Sequence, residues 1–405
     1  MGGMAIEIRS PSEDELRDAM LAGTAAFAGE LNDGDVERHK KTMPLERFLA
    51  AYDDGKPVGT AAAFPFDLTV PGGTLRAGGV TWVAVMPSHR RRGILTQFMQ
   101  YQLNDLHERG EPLAILWASE PVIYGRFGYG VAAPVMSIEA DRARFRFRDD
   151  PGATGTVRLV DSAEAAKVFP GIYDSIRTGI PGMFARTPAM WTEYKLADQK
   201  EWQEGASPKF FALYEREGKP EGYAIYRVKN EWVHGLPQGQ VRVREAFGSS
   251  ASATREVWRF LFGIDLVSRV DAELVDPASP LLLMVADSRS LRLRLFEGLW
   301  LRLVDIEAAL RGRSYATDET VVLGVRDTLC AWNEGRYRVG ASVERTDDEP
   351  DLELDVGDLA SVYLGAFDFH ALARAERVRE LRSGALERAS ALFRTERPPF
   401  CPEIF

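Results

Sequence analysis

The stretch Val83-Ala-Val-Met-Pro-Ser-His-Arg-Arg-Arg-Gly-Ile-Leu-Thr96 decides how this chain is read. An apolar run stops at Pro87, three arginines follow, and after Gly93 the residues Leu95, Phe98, Met99, Leu103 and Leu106 fall at helical spacing. The pattern is a strand, a short basic loop and a helix N-terminus. Unbonded N–H groups and the positive end of the helix dipole favour an anion at such a place. Arg90, Arg91 and Arg92 add charge there, and Gly93 lets a ligand approach the backbone closely. A pyrophosphate is the natural guest; the bland alternative is a solvated arginine run before an ordinary helix. No G-x-G-x-x-G follows the first strand and no G-x-x-x-x-G-K-[ST] occurs, so the dinucleotide and P-loop fingerprints do not fit.

Working outward, the first 150 residues read as mixed α/β. A strand is expected at Ala5–Ile8, then a capping box, Ser12 with Glu15, and an Ala-rich helix to about Glu30, broken by Asn32-Asp-Gly-Asp35. Strands are expected at Phe48–Tyr52 and Val58–Val70 around an Asp54-Gly55 turn, then at Leu75–Met86 and Pro112–Trp117, with two more before Arg144. Asp149-Asp-Pro-Gly152 reads as a linker. Val157 to Asp287 repeats a similar order, with a hairpin tip at Arg216-Glu-Gly218 and a helix from about Thr254. From about Ser288 the pattern changes again. A strand at Trp300–Val304, a helix at Ile306–Arg311, a meander and two amphipathic helices precede the tail Arg397-Pro-Pro-Phe-Cys-Pro-Glu-Ile-Phe405. Three domains are expected, at 1–150, 151–287 and 288–405.

Composition bounds the function. The chain has 405 residues, 50 Lys+Arg against 60 Asp+Glu, and a formal charge of −10. That balance argues against a general nucleic-acid binder, which needs a basic face to offset phosphate charge. No apolar run approaches the roughly 20 residues of a membrane-spanning helix. Two cysteines, Cys330 and Cys401, give no disulfide framework and no thiolate zinc cage. His39, His89, His107, His234 and His370 show no metal-ligand spacing. With no signal-peptide pattern at the N-terminus, a cytoplasmic chain without a metal is expected.

Arg90-x-x-Gly93-x-Leu95 resembles the R/Q-x-x-G-x-G/A loop of GNAT N-acetyltransferases, which grips the pyrophosphate of acetyl-CoA. Leu95 departs from the final Gly/Ala, in the form used by the Eis (enhanced intracellular survival) branch. Ala118-Ser-Glu120 before Ile123-Tyr-Gly-Arg-Phe-Gly-Tyr-Gly130, Leu299-Trp-Leu-Arg-Leu-Val-Asp305, and a terminal apolar residue after an acid are similar to that branch too. The resemblance covers essentially the whole chain. It implies an α/β (α+β) fold of tandem GNAT domains, the second degenerate, followed by a sterol-carrier-protein-like domain. It also implies a homohexamer that acetylates amines, either of aminoglycosides or of protein lysines. The stretch Ala246–Thr254 of the middle domain carries no cation cluster, so one acetyl-CoA per chain is expected.

Amine acetylation needs a held thioester, a neutral amine and a proton for the departing thiolate. By the resemblance, Val83, Ala84 and Val85 offer exposed backbone to the pantetheine arm, where a β-bulge splays the strands. Arg90, Arg91, Arg92, Gly93, Ile94, Leu95, Thr96 and Ser119 complete the acetyl-CoA set. Tyr124 is the implied general acid; a phenol of pKa about 10 is protonated at neutral pH. Tyr129 is a nearby alternative, and a packed aromatic is the bland one. The implied general base is the α-carboxylate of Phe405; the bland alternative is a frayed end. Phe27, Glu30, Trp82, Trp117, Glu120 and Glu403 are candidates for an aromatic and acidic acceptor pocket, suited to a cation. Some relatives carry His where Trp117 stands, a change that would narrow the aminoglycoside range. Two other readings remain open: a polyamine or protein-lysine acetyltransferase, and an acyl-CoA or lipid-binding sensor without turnover.

Overall fold

The computed structural model describes residues 6–405, so Ala5 of the expected first strand lies outside the described residues. In the N-terminal segment, strands β1 (Glu7–Arg9), β2 (Phe48–Asp53), β3 (Lys56–Val70), β4 (Gly73–Val85) and β5 (Leu113–Trp117) lie side by side in that order. β1 to β4 are antiparallel neighbours, and β4 runs parallel to β5. A parallel pair needs a crossover, and helix α3 (Ile94–Glu108) supplies it. Its buried residues Ile94, Phe98, Met99, Leu103 and Leu106 pack in one core with Leu49, Val58, Val80 and Leu116.

Helix α1 (Leu16–Ala26) ends earlier than the expected Glu30. Asn32-Asp-Gly-Asp35 is not only a break: it starts a second helix, α2 (Asp33–Thr42), absent from the sequence reading. The Asn32 side chain accepts from the Asp35 N–H at 3.0 Å, and the Asp35 carboxylate accepts from the Asn32 N–H at 3.1 Å. A reciprocal cap of this kind satisfies two of a helix's unbonded donors, which is why the same residues both stop and start helices.

Contacts divide the chain into two compact units. The first joins residues 6–133 to Gly298–Glu396 and Ile404–Phe405. Within it, Leu299–Leu303 pairs antiparallel with β5. Arg302 on that strand is fully buried and donates to the Asp327 carboxylate at 2.5 Å. A five-stranded sheet follows, ordered Val343–Arg345, Gly335–Val339, Val321–Arg326, Leu352–Asp355, Val378–Glu380. Arg47, just before β2, forks onto Glu111, between α3 and β5, through two bonds of 2.7 Å, both side chains being 5% exposed.

The second unit comprises Pro134–Glu297 with Arg397–Glu403. It begins before the expected linker at Asp149–Gly152, because residues Met136–Asp141 already pair with Val267–Val275. Its sheet continues through Gly239–Gly248, Lys219–Lys229, Phe210–Arg216 and Thr156–Val160. Helix Ala251–Gly263 starts three residues before the expected Thr254, capped by Ser250. Among the described residues no helix is long and apolar enough to cross a membrane, and no cluster of His, Cys, Asp and Glu is placed to hold a metal.

Candidate active site

The parallel pairing of β4 with β5 stops at Val80–Leu116, although β4 continues to Val85. On its other side β4 slips register: Thr60 faces Ala84 and Ala62 faces Thr81. β4 therefore carries one residue more than β3 over this span. Trp82 absorbs it with a φ of +54°, and its carbonyl accepts from the Thr60 hydroxyl at 2.7 Å. A bulge bends a strand and raises its twist. Here it accompanies the parting of β4 from β5, which leaves the Val83–Val85 backbone without a β5 partner on that side.

The loop after β4 builds the other wall. Arg91 takes φ +63° and Gly93 φ +80°, the latter a left-handed residue at the cap of α3 where glycine carries no steric cost. Among the described residues no side chain caps this helix, and the first intrahelical bond into it is from the Gln97 N–H to the Gly93 carbonyl. The N–H groups of Ile94, Leu95 and Thr96 are thus free to meet an anion.

These elements line a cleft of about 490 Å³ in the first unit. Of the predicted cofactor residues, Val83, Ala84, Val85, Arg90, Arg91, Gly93, Ile94, Leu95, Thr96 and Ser119 border it. Arg92 does not; it donates to Asp53 at 2.9 Å. Asp53 also meets His89 Nε2 at 3.1 Å, and Arg92, then His89, hold its carboxyl below the usual range. Phe27, Glu120 and Tyr124 complete the predicted part of the lining. Ala26, His89, Ile123 and Arg126 also line it and were not predicted. Arg126 stands in the quoted Ile123–Gly130 motif, where a cation two residues from Tyr124 was the available signal. His89 abuts the arginine run but has no spacing that marks a ligand.

Tyr124 sits at the end of the short helix Pro121–Tyr124, started by proline in its first turn. Its ring is 5% exposed and meets Tyr129 edge-on at 6.0 Å. Burial, then the charge of Glu120, push its phenol up to about 12, so it stays protonated over the whole neutral range. Tyr129 is more deeply buried still, and burial pushes it up further.

The remaining candidates are not among the residues that line the cleft. Trp82 packs edge-on against His39 and Phe48, with ring centroids 5.6 and 6.0 Å away. Trp117 is half-buried at the end of β5, opposite Leu299, and Glu30 is exposed. Glu403 is buried in the second unit against Arg186 and Lys195. Phe405 is half-buried, its ring edge-on to Phe66 at 5.1 Å.

Residues 7–132 and 182–303 match models of acetyltransferase (GNAT) domains, and residues 306–402 match a sterol carrier protein domain. An uncharacterized N-acetyltransferase of Streptomyces avermitilis is 42% identical over 389 residues, 94% of this chain and 95% of the relative. The N-acetyltransferase Eis of Mycobacterium tuberculosis is 33% identical over 413 residues, 98% of each chain. The crystal structure of Eis1 from Mycobacterium abscessus superposes with a TM-score of 0.86 at 33% identity, covering 98% of this chain and all of the other.

Proposed function

The chain belongs to the Eis family of GNAT N-acetyltransferases, and from that premise we propose that it transfers the acetyl group of acetyl-CoA to a primary amine of a polycationic acceptor such as an aminoglycoside. The observation that carries the reading is the convergence on one cleft of the Val83–Val85 backbone, open on its β5 side, the uncapped N-terminus of α3 and Tyr124. Acetyl-CoA supplies an activated thioester. The free N–H groups of α3, with Arg90 and Arg91, suit its pyrophosphate, and the opened edge of β4 suits its amide-bearing arm.

The chain's own residues then manage two protons. Tyr124 holds its proton at neutral pH and gives it to the departing sulfur. The Phe405 carboxylate takes the proton that the amine loses on attack. The ordered tail supports that role: Phe400 to Glu403 are buried and the Phe405 ring packs on Phe66, whereas a frayed terminus would be solvated. Glu120 and Phe27 give the cleft an acid and an exposed aromatic face, which attract a cation. The proposal extends to a cytoplasmic homohexamer, the assembly being what the sequence resemblance implies.

Thiol release from acetyl-CoA tests the proposal against kanamycin, neomycin, spermidine, a lysine peptide and a buffer blank. Release with aminoglycosides, and products carrying more than one acetyl group, is the expected result. Release only with the peptide would overturn the polycationic acceptor class and keep the chemistry, and release only with spermidine would keep that class and exclude aminoglycosides. Acetyl-CoA binding without release for any amine would favour a sensor. A long C-terminal tag should abolish transfer while acetyl-CoA still binds; full activity with the tag would refute the terminal carboxylate as base.

A further inference from the structure

We infer that the second GNAT-like unit keeps a split-strand cleft of the catalytic kind, that its occupant is the chain's own C-terminal tail, and that Arg186 and Lys195 are positioning residues for the terminal carboxylate. Strand Gly239–Gly248 pairs in parallel with Val267–Val275 only as far as Val243–Ala272. Its other side slips register between Val243 and Glu245, so Arg244 is an extra residue. This is the β4 pattern again: a bulge on one side and an early end to the parallel pairing on the other.

The contents differ from those of the catalytic cleft. The helix that follows is capped by Ser250, whose hydroxyl accepts from Ala253 at 3.1 Å. That uses up a donor that an anion would need. The remaining cavity is about 90 Å³, and Phe400 and Pro402 of the tail form part of its wall. The Phe400 N–H donates to the Pro181 carbonyl at 2.9 Å. Gly182 has φ +94°, and a Cβ there would stand 3.0 Å from the Phe400 carbonyl oxygen, so the tail backbone lies flush on this glycine.

Charge fixes the register of the tail. Arg186 Nε donates to Glu403 at 2.5 Å, while its other nitrogens grip Glu245 at 3.0 and 2.5 Å. Lys195 bridges the same two carboxylates at 3.0 and 2.6 Å. The Arg186 guanidinium also lies over the Tyr173 ring at 3.8 Å. Two cations and two carboxylates balance. Without Glu403, two cations would face Glu245 alone in a buried site, an uncompensated charge that the fold resists. Lys195 reaches the cluster from a single wide turn closed by the Leu196 N–H onto the Trp191 carbonyl at 2.9 Å, a geometry often found at functional positions.

Phe405 is two residues beyond Glu403, a span of at most about 7 Å of chain. Anchoring Glu403 therefore confines the terminal carboxylate. This role rests on the reading of that carboxylate as the base.

Cys401 reports on the docking by itself. It is fully buried, and burial pushes its thiol up to about 12, so a docked tail is inert to thiol reagents near neutral pH. Full-length Glu403→Gln and Lys195→Met proteins are labelled with N-ethylmaleimide under native conditions, and modification of Cys401 is followed by peptide mass. The same proteins are assayed for transfer. We expect labelling of Cys401 at least about tenfold faster than wild type, kcat lower by about tenfold, and KM for acetyl-CoA within about twofold. Glu403→Asp should recover part of both losses. If Glu403→Gln fails to fold by circular dichroism, Lys195→Met, on the more exposed side of the cluster, carries the test. Unchanged protection of Cys401 in the folded variants would overturn the clamp. Faster labelling with unchanged kcat would overturn the positioning role. Wild-type protein that transfers no acetyl group would sink the proposed activity, while the labelling arm would still decide the clamp.

Discussion

Replacing Tyr124 by Phe separates catalysis from folding unusually well in this site. The ring keeps its edge-on contact with Tyr129, and among the described residues no hydrogen-bond partner of the Tyr124 hydroxyl is lost. Removing an unpartnered hydroxyl should therefore change stability by less than about 1 kcal/mol. The rate effect is of another size. General acid catalysis contributes about 10²- to 10⁴-fold, which corresponds to about 3–5 kcal/mol of transition-state stabilisation. Thermal unfolding and steady-state thiol release on the same preparation measure both quantities. We expect a Tm within about 2 °C of wild type, a kcat at least about 100-fold lower, and little change in KM for acetyl-CoA. The phenol is pushed up to about 12, so in the wild type this group gives no fall in rate between neutral pH and about pH 10. A Tyr124→Phe enzyme that is well folded and within about threefold of wild-type kcat would refute Tyr124 as the acid.

The phosphate loop should respond unevenly. Arg90→Ala and Arg91→Ala should raise KM for acetyl-CoA about fivefold or more, an effect that shrinks at high salt, while Arg92→Ala, whose cation is held by Asp53, should raise it less; equal effects at all three positions would argue against the lining described. His39 gives a pH dependence. Its side chain is 2% exposed, among the described residues both ring nitrogens are unpartnered, and burial lowers it to about 4 against about 6.5 in the unfolded chain. The unfolded state then takes up the proton first as pH falls, so stability is fully present above about pH 6.5 and about 3 kcal/mol is lost by about pH 4. His39→Leu should flatten that part of a urea-unfolding series against pH, and an unchanged slope would show that another group is responsible. Glu111→Gln breaks a buried fork with Arg47 and should destabilise by about 3–5 kcal/mol in denaturant titrations.

Local rules made much of this protein readable. The strand, loop and helix around Arg90 to Gly93 follow from proline, apolar period and glycine, each of which acts within a few residues. The Ser12–Glu15 capping pair forms as read, with bonds of 2.9 and 3.3 Å. Helix α2 escaped because Asn32-Asp-Gly-Asp35 carries a stop and a start in the same four residues, and few apolar residues follow to mark its face.

What the sequence determined by itself is the family, most of the elements around the phosphate loop and the chemistry of that loop, since these rest on residue type and short spacing. The tertiary structure decided the rest. Only pairing between strands shows that β4 parts from β5 after Val80, or that Gly239–Gly248 repeats the split. Only three-dimensional contact assigns Arg92 to Asp53 and Glu403 to Arg186 and Lys195. A charged side chain read in sequence has no partner, and its role is set by whichever opposite charge folding brings within a few ångströms.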